Sequence, residues 1–212
     1  SKWHLLKNKE RKEIVKQTCK YLKIINNSNY KNFIKRFKIN CPINWQNKIL
    51  TRIKKHLDKA EKRKLLKKDL IENIKEFVEL NKKSLRKQKM ALVYWDIHFD
   101  NILINNKKIV GILDFERTEL ASIDFTLDIV KRMVDYPKKY MAEKFEKLAR
   151  KKDYEKLLNW FEEFYPDLFK FKDLDSRLAL YSLEHDLDTL LWYPKSKDVR
   201  KMIAKTVGFK LK

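Results

Sequence analysis

From Glu10 to Asn26 the apolar residues Ile14, Val15, Cys19, Tyr21, Leu22, Ile24 and Ile25 recur at helical spacing, and Asn26-Asn27-Ser28-Asn29 supplies a stop. The pattern predicts one amphipathic helix there and a shorter one over Tyr30 to Phe37. Asn44 is placed to cap a third helix carrying Trp45, Ile49, Leu50, Ile53 and Leu57. Leu65, Leu66, Leu70, Ile74, Phe77, Val78 and Leu80 mark a fourth. Lysine and arginine occupy the opposite faces of all four.

The period changes at Ala91. Residues 91 to 94, 102 to 104 and 109 to 113 are short apolar runs rich in β-branched side chains, which read as strands. Asn105-Asn106-Lys107-Lys108 separates the last two and carries hairpin-turn chemistry, because asparagine tolerates a positive φ and the lysines favour water. Helical spacing resumes after Ser122, an expected N-cap, through Phe125, Leu127, Ile129, Val130 and Val134, and stops before Pro137. Further helices are expected at about 138 to 150, 153 to 165, 173 to 192 and 195 to 207, with Pro166 and Pro194 between them.

Composition agrees with a mainly α chain. In 212 residues there are 2 Gly and 4 Pro, too few for a β-sandwich or a flexible repeat, and 43% hydrophobic residues suffice for a sizeable core. Two cysteines, Cys19 and Cys41, make neither a disulfide framework nor a CxxC metal pair, which fits a reducing compartment. No run reaches the roughly 18 apolar residues that a membrane span needs, and no secretory layout opens the chain, so a soluble cytoplasmic protein is expected.

The net charge of +22 invites a polyanion reading, but its distribution is uneven: residues 1 to 90 hold 28 Lys/Arg against 8 Asp/Glu, and residues 91 to 212 hold 23 against 21. Basic helices of this kind suit nucleic acid or an anionic surface, with Lys82, Lys83, Arg86, Lys87 and Lys89 as the densest run. Solvated helix faces explain the same charge, and the aromatics sit at core-like spacing and do not interleave with the lysines. Nucleic acid is therefore not the expected partner.

The chemistry concentrates in Val93-Tyr94-Trp95-Asp96-Ile97-His98-Phe99-Asp100-Asn101-Ile102-Leu103 and Gly111-Ile112-Leu113-Asp114-Phe115-Glu116. A hairpin brings its ends together, so Asn101 and Asp114 are expected as neighbours, with Asp96 five residues before Asn101. Two hard oxygen ligands for Mg²⁺, Asn101 and Asp114, beside a carboxylate that accepts a hydroxyl proton, Asp96, suit phosphoryl transfer. The spacing D-x-x-x-x-N, then D-F, is the catalytic-loop and metal-loop pattern of kinases.

These stretches resemble the aminoglycoside phosphotransferase and choline kinase group of small-molecule kinases, which shares its fold with protein kinases. The likeness is strongest from Leu92 to Ile129. The pattern H-G-D-x-H-x-x-N-I-L, then I-D-F-E, is met by Asp96, His98, Asn101, Ile102, Leu103, Leu113, Asp114, Phe115 and Glu116, and D-P-x-x-D-L is similar to Asp124 through Ile129. Glu13 to Asn26 is similar to the helix after the hinge between lobes.

The resemblance implies that Asp96 is the catalytic base, that Asn101 and Asp114 hold Mg²⁺, and that Asp128 is a structural acid bracing the catalytic loop. His98 is a supporting residue, either a packed loop histidine or a participant in catalysis. Glu116 also belongs here, contacting Mg²⁺ through water, orienting a cationic substrate, or pairing with Arg117 or a lysine. The usual His and Gly before the catalytic Asp are Tyr94 and Trp95, and a bulky Trp95 is expected to change loop packing and narrow substrate access. On the late helix, Glu184 and Asp188 are four residues apart and, with Trp192, form a candidate amine-binding face, set against a core helix with solvated acids. His4, His56 and His185 lack metal spacing and are expected to be inert surface residues.

The resemblance further implies a protein-kinase-like C-terminal lobe lacking the N-terminal β lobe, since the first glycine, Gly111, follows the catalytic loop and no strand pattern precedes Ala91. The organisation expected over residues 1 to 212 is one such lobe: basic helices over 1 to 90, catalytic and metal loops with the hairpin over 91 to 116, and a helical substrate-side part over 117 to 212. The implied activity is ATP- or GTP-dependent, Mg²⁺-assisted transfer to a hydroxyl of an aminoglycoside-like molecule, amino sugar or choline-like amine. The lobe is expected to be weakly active or inactive alone, with nucleotide, small-molecule substrate and the N-terminal lobe as partners. A basic polyanion-binding module and a kinase-like pseudoenzyme are the rival readings.

Overall fold

A computed structural model describes residues 3–38 and 44–210, so Cys41 lies outside the described residues. The elements in order are α1 (Asn8–Asn26), α2 (Lys31–Arg36), α3 (Trp45–Lys62), α4 (Lys68–Asn81), β1 (Met90–Tyr94), β2 (Ile102–Asn105), β3 (Lys108–Ile112), β4 (Thr118–Ser122), α5 (Thr126–Asp135), α6 (Leu157–Phe164), α7 (Leu174–Trp192) and α8 (Lys197–Thr206). They divide into two units, one drawn from 1–41 and 89–171, the other from 42–88 and 172–212.

In the first unit α1 buries Ile14, Val15, Cys19 and Leu22 and turns its lysines outward. Glu10 accepts the Lys7 main-chain N–H at 2.9 Å, closing the helix start, and that bond holds its carboxyl below the usual range. At the other end Asn26 does more than stop the helix. Its amide donates to Leu92 O in β1 at 2.8 Å, and its carbonyl accepts from the Tyr165 hydroxyl at 2.9 Å. The Cys19 thiol is buried among apolar neighbours, which pushes its pKa up to about 12.

The strands form two antiparallel pairs. β2 and β3 make the hairpin, turning through Asn106 and Lys107, both at positive φ (46° and 62°), as a two-residue turn matching the strand twist requires. β1 pairs with β4 from Met90↔Ser122 to Tyr94↔Thr118. The sequence pattern missed β4, whose first residues are polar. The Ser122 side chain donates to the Asp124 carboxylate and accepts the Lys89 N–H, and a 3₁₀ turn, Ile123–Phe125, separates it from α5.

The helix expected at 138 to 150 is replaced by 3₁₀ turns at Pro137–Tyr140, Glu143–Leu148 and Lys151–Asp153. The apolar residues of that stretch are divided, Met141 and Ala149 buried and Leu148 exposed, and the Asp100 carboxylate captures the Ala142 N–H. The helix expected from 153 begins only at Leu157. Beneath these turns Trp3 is 1% exposed, stacks on Phe99 at 3.6 Å and donates its indole N–H to Asp153 O at 3.1 Å. Arg11 meets the buried Asp153 carboxylate at 2.9 Å.

The second unit packs α3 against α7 and α7 against α8. Asn44 caps α3, its side chain accepting the Asn47 N–H at 3.0 Å. Trp45 is buried and donates to the Tyr181 hydroxyl at 3.0 Å, while the buried Arg177 donates to Ser84 O and Lys87 O. Among the described residues no helix is long and apolar enough to cross a membrane.

Candidate active site

The site lies where β1 gives way to the hairpin. Trp95 N–H donates to Arg117 O at 3.2 Å, extending the β1–β4 ladder by one step before the chain peels away at Asp96. Ile97, fully buried, anchors the far side of the bend, and a 3₁₀ turn over Phe99–Asn101 leads into β2. Phe99 is held on Trp3, so the turn rests on the core.

Asn101 donates its side-chain amide to Asp96 O at 3.0 Å and to the Asp96 carboxylate at 3.4 Å. The main-chain carbonyl of Asn101 accepts the Leu113 N–H at 2.8 Å. Asp114 follows at once, exposed and in the left-handed region at φ 59°. The structure thus brings Asp96, Asn101 and Asp114 to one end of the hairpin. Strain at a non-glycine residue is tolerated where neighbours fix it. Here Tyr94, fully buried, donates its hydroxyl to Leu113 O at 2.6 Å and stacks its ring 4.8 Å from Phe115.

His98 Nε2 lies 3.8 Å from the Asp96 carboxylate, beyond hydrogen-bond range, and its buried Nδ1 has no hydrogen-bond partner among the described residues. Glu116 is exposed and makes no ion pair among the described residues. Arg117 instead sits over the Trp95 ring at 5.3 Å. Asp128, wholly buried, accepts the Trp95 indole N–H at 3.1 Å and the Arg132 Nε–H at 3.1 Å. Trp95 is 5% exposed and packs inward beside Phe125, so it enters the core and does not stand over the loop. The structural roles of Tyr94 and Trp95 escaped the sequence reading, where each registered only as a departure from a pattern.

Glu184, Asp188 and Trp192 all lie on α7, in the other unit. Trp192 is 76% exposed. His56 of α3 stands between the two acids, 3.8 Å from Glu184 and 3.6 Å from Asp188, with its side chain largely buried. It is therefore not the inert surface histidine expected, and desolvation holds its pKa below the usual value despite the neighbouring acids.

Among the described residues no group of three or more His, Cys, Asp or Glu side chains could hold a metal. Asn101 and Asp114 offer one amide oxygen and one carboxylate, oxygen donors of the hard kind that Mg²⁺ takes alongside phosphate and water. With the Asn101 amide nitrogen turned to Asp96, its carbonyl is the end left for a cation. Between α1 and β3 a cavity of about 270 Å³ is lined by Tyr21, Ile24, Ile25, Ile109, Val110, Gly111, Ile112 and Phe115, ending one residue from Asp114.

A sequence profile of the phosphotransferase enzyme family matches residues 6–130. No curated protein matches the chain. Among solved structures it is similar to the gentamicin complex of APH(2'')-IIa, at 20% identity and TM-score 0.63, covering 97% of this chain and 64% of that one. It is also similar to ADP-bound aminoglycoside phosphotransferase APH(2'')-Ib, at 18% identity and TM-score 0.60, covering 97% and 65%. Ethanolamine kinase of Plasmodium vivax is a further likeness, at 15% identity and TM-score 0.54, covering 94% and 59%. The chain thus spans somewhat less than two thirds of the length of these structures, and what it shares with them is the kinase-like, mainly helical fold.

Proposed function

This chain belongs to the phosphotransferase enzyme family, and on that premise we propose that it carries the catalytic lobe of a kinase that phosphorylates a hydroxyl of a small molecule in the cytoplasm. The observation that carries the reading is the mutual anchoring of Asp96 and Asn101 at the hairpin end that presents Asp114. The acceptor class is an amino sugar, aminoglycoside or choline-like amino alcohol. Gentamicin in one similar structure and the ethanolamine kinase likeness support it.

In this reading Asp96 accepts the proton of the attacking hydroxyl on its carboxylate, which is partly exposed and oriented by Asn101. Asn101 Oδ1 and the Asp114 carboxylate hold Mg²⁺, which when bound neutralises charge on the phosphates of ATP or GTP. The open apolar groove that includes Phe115, the neighbour of Asp114, offers a flat base an apolar surface, and ADP in a similar structure supports nucleotide use. Glu184, Asp188 and Trp192 are proposed as an amine-binding face of α7 taken by itself, with His56 standing between the two acids. A nucleotide held from one side only is held weakly, so the chain alone transfers slowly or not at all.

The experiment has two arms. Mn²⁺-ATP added to the chain should broaden NMR signals of Asn101 and Asp114, and Asn101→Ala and Asp114→Ala should abolish the effect. In a polypeptide extended to the full length of the similar structures, Asp96→Asn should cut phosphorylation of amino sugars and amino alcohols by about 10²- to 10⁴-fold. Broadening that survives both alanine variants, or turnover that ignores Asp96, rejects the proposal.

A further inference from the structure

The position before Asp96 is a glycine in the pattern that the loop resembles, and a glycine offers only its main chain. Trp95 offers the main-chain bond to Arg117 O and, in addition, an indole donor that reaches the buried Asp128 carboxylate at 3.1 Å. A bond from a neutral donor to a buried carboxylate is among the stronger hydrogen bonds in proteins, and the indole N–H has no second direction in which to donate. Arg132 holds the same carboxylate from the next turn of α5, so the acceptor is itself fixed. The ring stacks near Phe125, at 6.2 Å, and carries the Arg117 guanidinium at 5.3 Å.

We infer that Trp95 is a positioning residue for the proposed phosphoryl transfer, its indole bond to Asp128 fixing the main chain at Asp96 and thereby the direction of Asn101. The inference rests on the reading of Asp96 and Asn101 given above. The path is continuous: Asp128 holds the indole, Trp95 is bonded through its peptide to Asp96, Asp96 O holds the Asn101 amide, and Asn101 O holds Leu113, the residue before Asp114. A loop freed at Trp95 loses the acceptor that turns the Asn101 amide inward, and with it the outward set of Oδ1. Packing of the ring alone would fill space but transmit nothing to Asn101.

The test compares the chain with Trp95→Phe, which keeps an aromatic ring in the core and removes the donor. Amide hydrogen exchange is read at residues 96 to 101, and the affinity for Mn²⁺ alone is read by water-proton relaxation. Loss of a charge-assisted bond should speed exchange in that loop by about tenfold or more and weaken Mn²⁺ binding by about threefold or more, with Ala91 to Val93 in β1 unchanged. Loop exchange within twofold of wild type overturns the inference. So does faster exchange with Mn²⁺ affinity intact, which would make Trp95 a structural residue only. If the wild-type chain binds no Mn²⁺ through Asn101 and Asp114, the metal reading falls, and loop exchange in the variant still decides whether the indole orders the loop. Should Trp95→Phe not fold, the wild-type indole N–H serves instead: it should open together with the Asp96 to Asn101 amides, and exchange about tenfold faster than theirs, after correction for intrinsic rates, overturns the inference.

Discussion

The Tyr94 hydroxyl donates to Leu113 O at 2.6 Å, and its ring lies 4.8 Å from that of Phe115, so one side chain of β1 touches the residues on both sides of Asp114. Asp114 holds a left-handed conformation, uncommon outside glycine though aspartate adopts it more readily than most residues. Desolvation raises the Tyr94 phenol far above its ordinary pKa, so it remains a donor throughout the working range.

Tyr94→Phe should therefore keep the ring contact and lose the grip on Leu113. The expected cost is about 1 kcal/mol, a fall in melting temperature of about 2 to 4 °C, with Mn²⁺ affinity falling severalfold. Calorimetry and Mn²⁺ titration on the same preparation check both. A lower melting temperature with unchanged Mn²⁺ affinity would show that Asp114 keeps its place without the hydroxyl.

Trp3 is separated from the Phe99–Asn101 turn by almost a hundred residues in sequence, yet its ring lies 3.6 Å from that of Phe99 and parallel to it within 4°. Trp3→Ala removes this support, the indole bond to Asp153 O and a large buried volume. The expected destabilisation is about 3 to 5 kcal/mol, read as a shift in the urea midpoint at constant slope. Trp3→Phe, which retains a stacking ring, should lose less than half of that. Equal losses in both variants would assign the stability to the indole bond and not to the stack.

Asp128 and Arg132 form a buried pair in which each charge depends on the other. Asp128→Ala leaves the Arg132 guanidinium buried without this acceptor and should cost about 3 to 5 kcal/mol, whereas Asp128→Asn, which retains an acceptor oxygen, should cost less. Chemical denaturation of the two variants measures the difference. Near-identical losses would mean that the carboxylate charge is not what Arg132 requires.

How far the sequence carried depended on whether the deciding forces were local. α1, α3 and α7 were legible because each has an apolar stripe longer than three turns and a marked end, such as the Asn44 cap of α3. β4 was not. Thr118 and Glu119 hide its period, and what makes it a strand is β1, more than twenty residues away. Over 138 to 150 Met141, Phe145 and Leu148 keep helical spacing, yet tertiary bonding such as that between Asp100 and Ala142 overrides the propensity and leaves Leu148 exposed. At the site, residue type and spacing drew attention to Asp96, Asn101 and Asp114. The bonds that orient them come from Tyr94 and Trp95, whose partners are fixed only by the fold. His56 was misjudged for the same reason: its two acids lie more than a hundred residues downstream.

His56 gives stability a pH dependence of definite sign. Burial disfavours the imidazolium more strongly than Asp188 and Glu184 favour it, with Lys59 and Arg52 adding repulsion, so the folded pKa lies below the ordinary value near 6.5. The unfolded chain then binds the proton more readily, and the contribution of His56 to stability is complete above about pH 6.5 and declines as pH falls below it. Urea midpoints measured from pH 8 to pH 5 should hold steady and then drop on the acid side for the wild-type chain. His56→Gln removes the titrating group, so its midpoints should fall less steeply over the same window. Parallel curves for the two proteins would mean that His56 has the same pKa folded and unfolded, and that the neighbouring acids fully offset its burial.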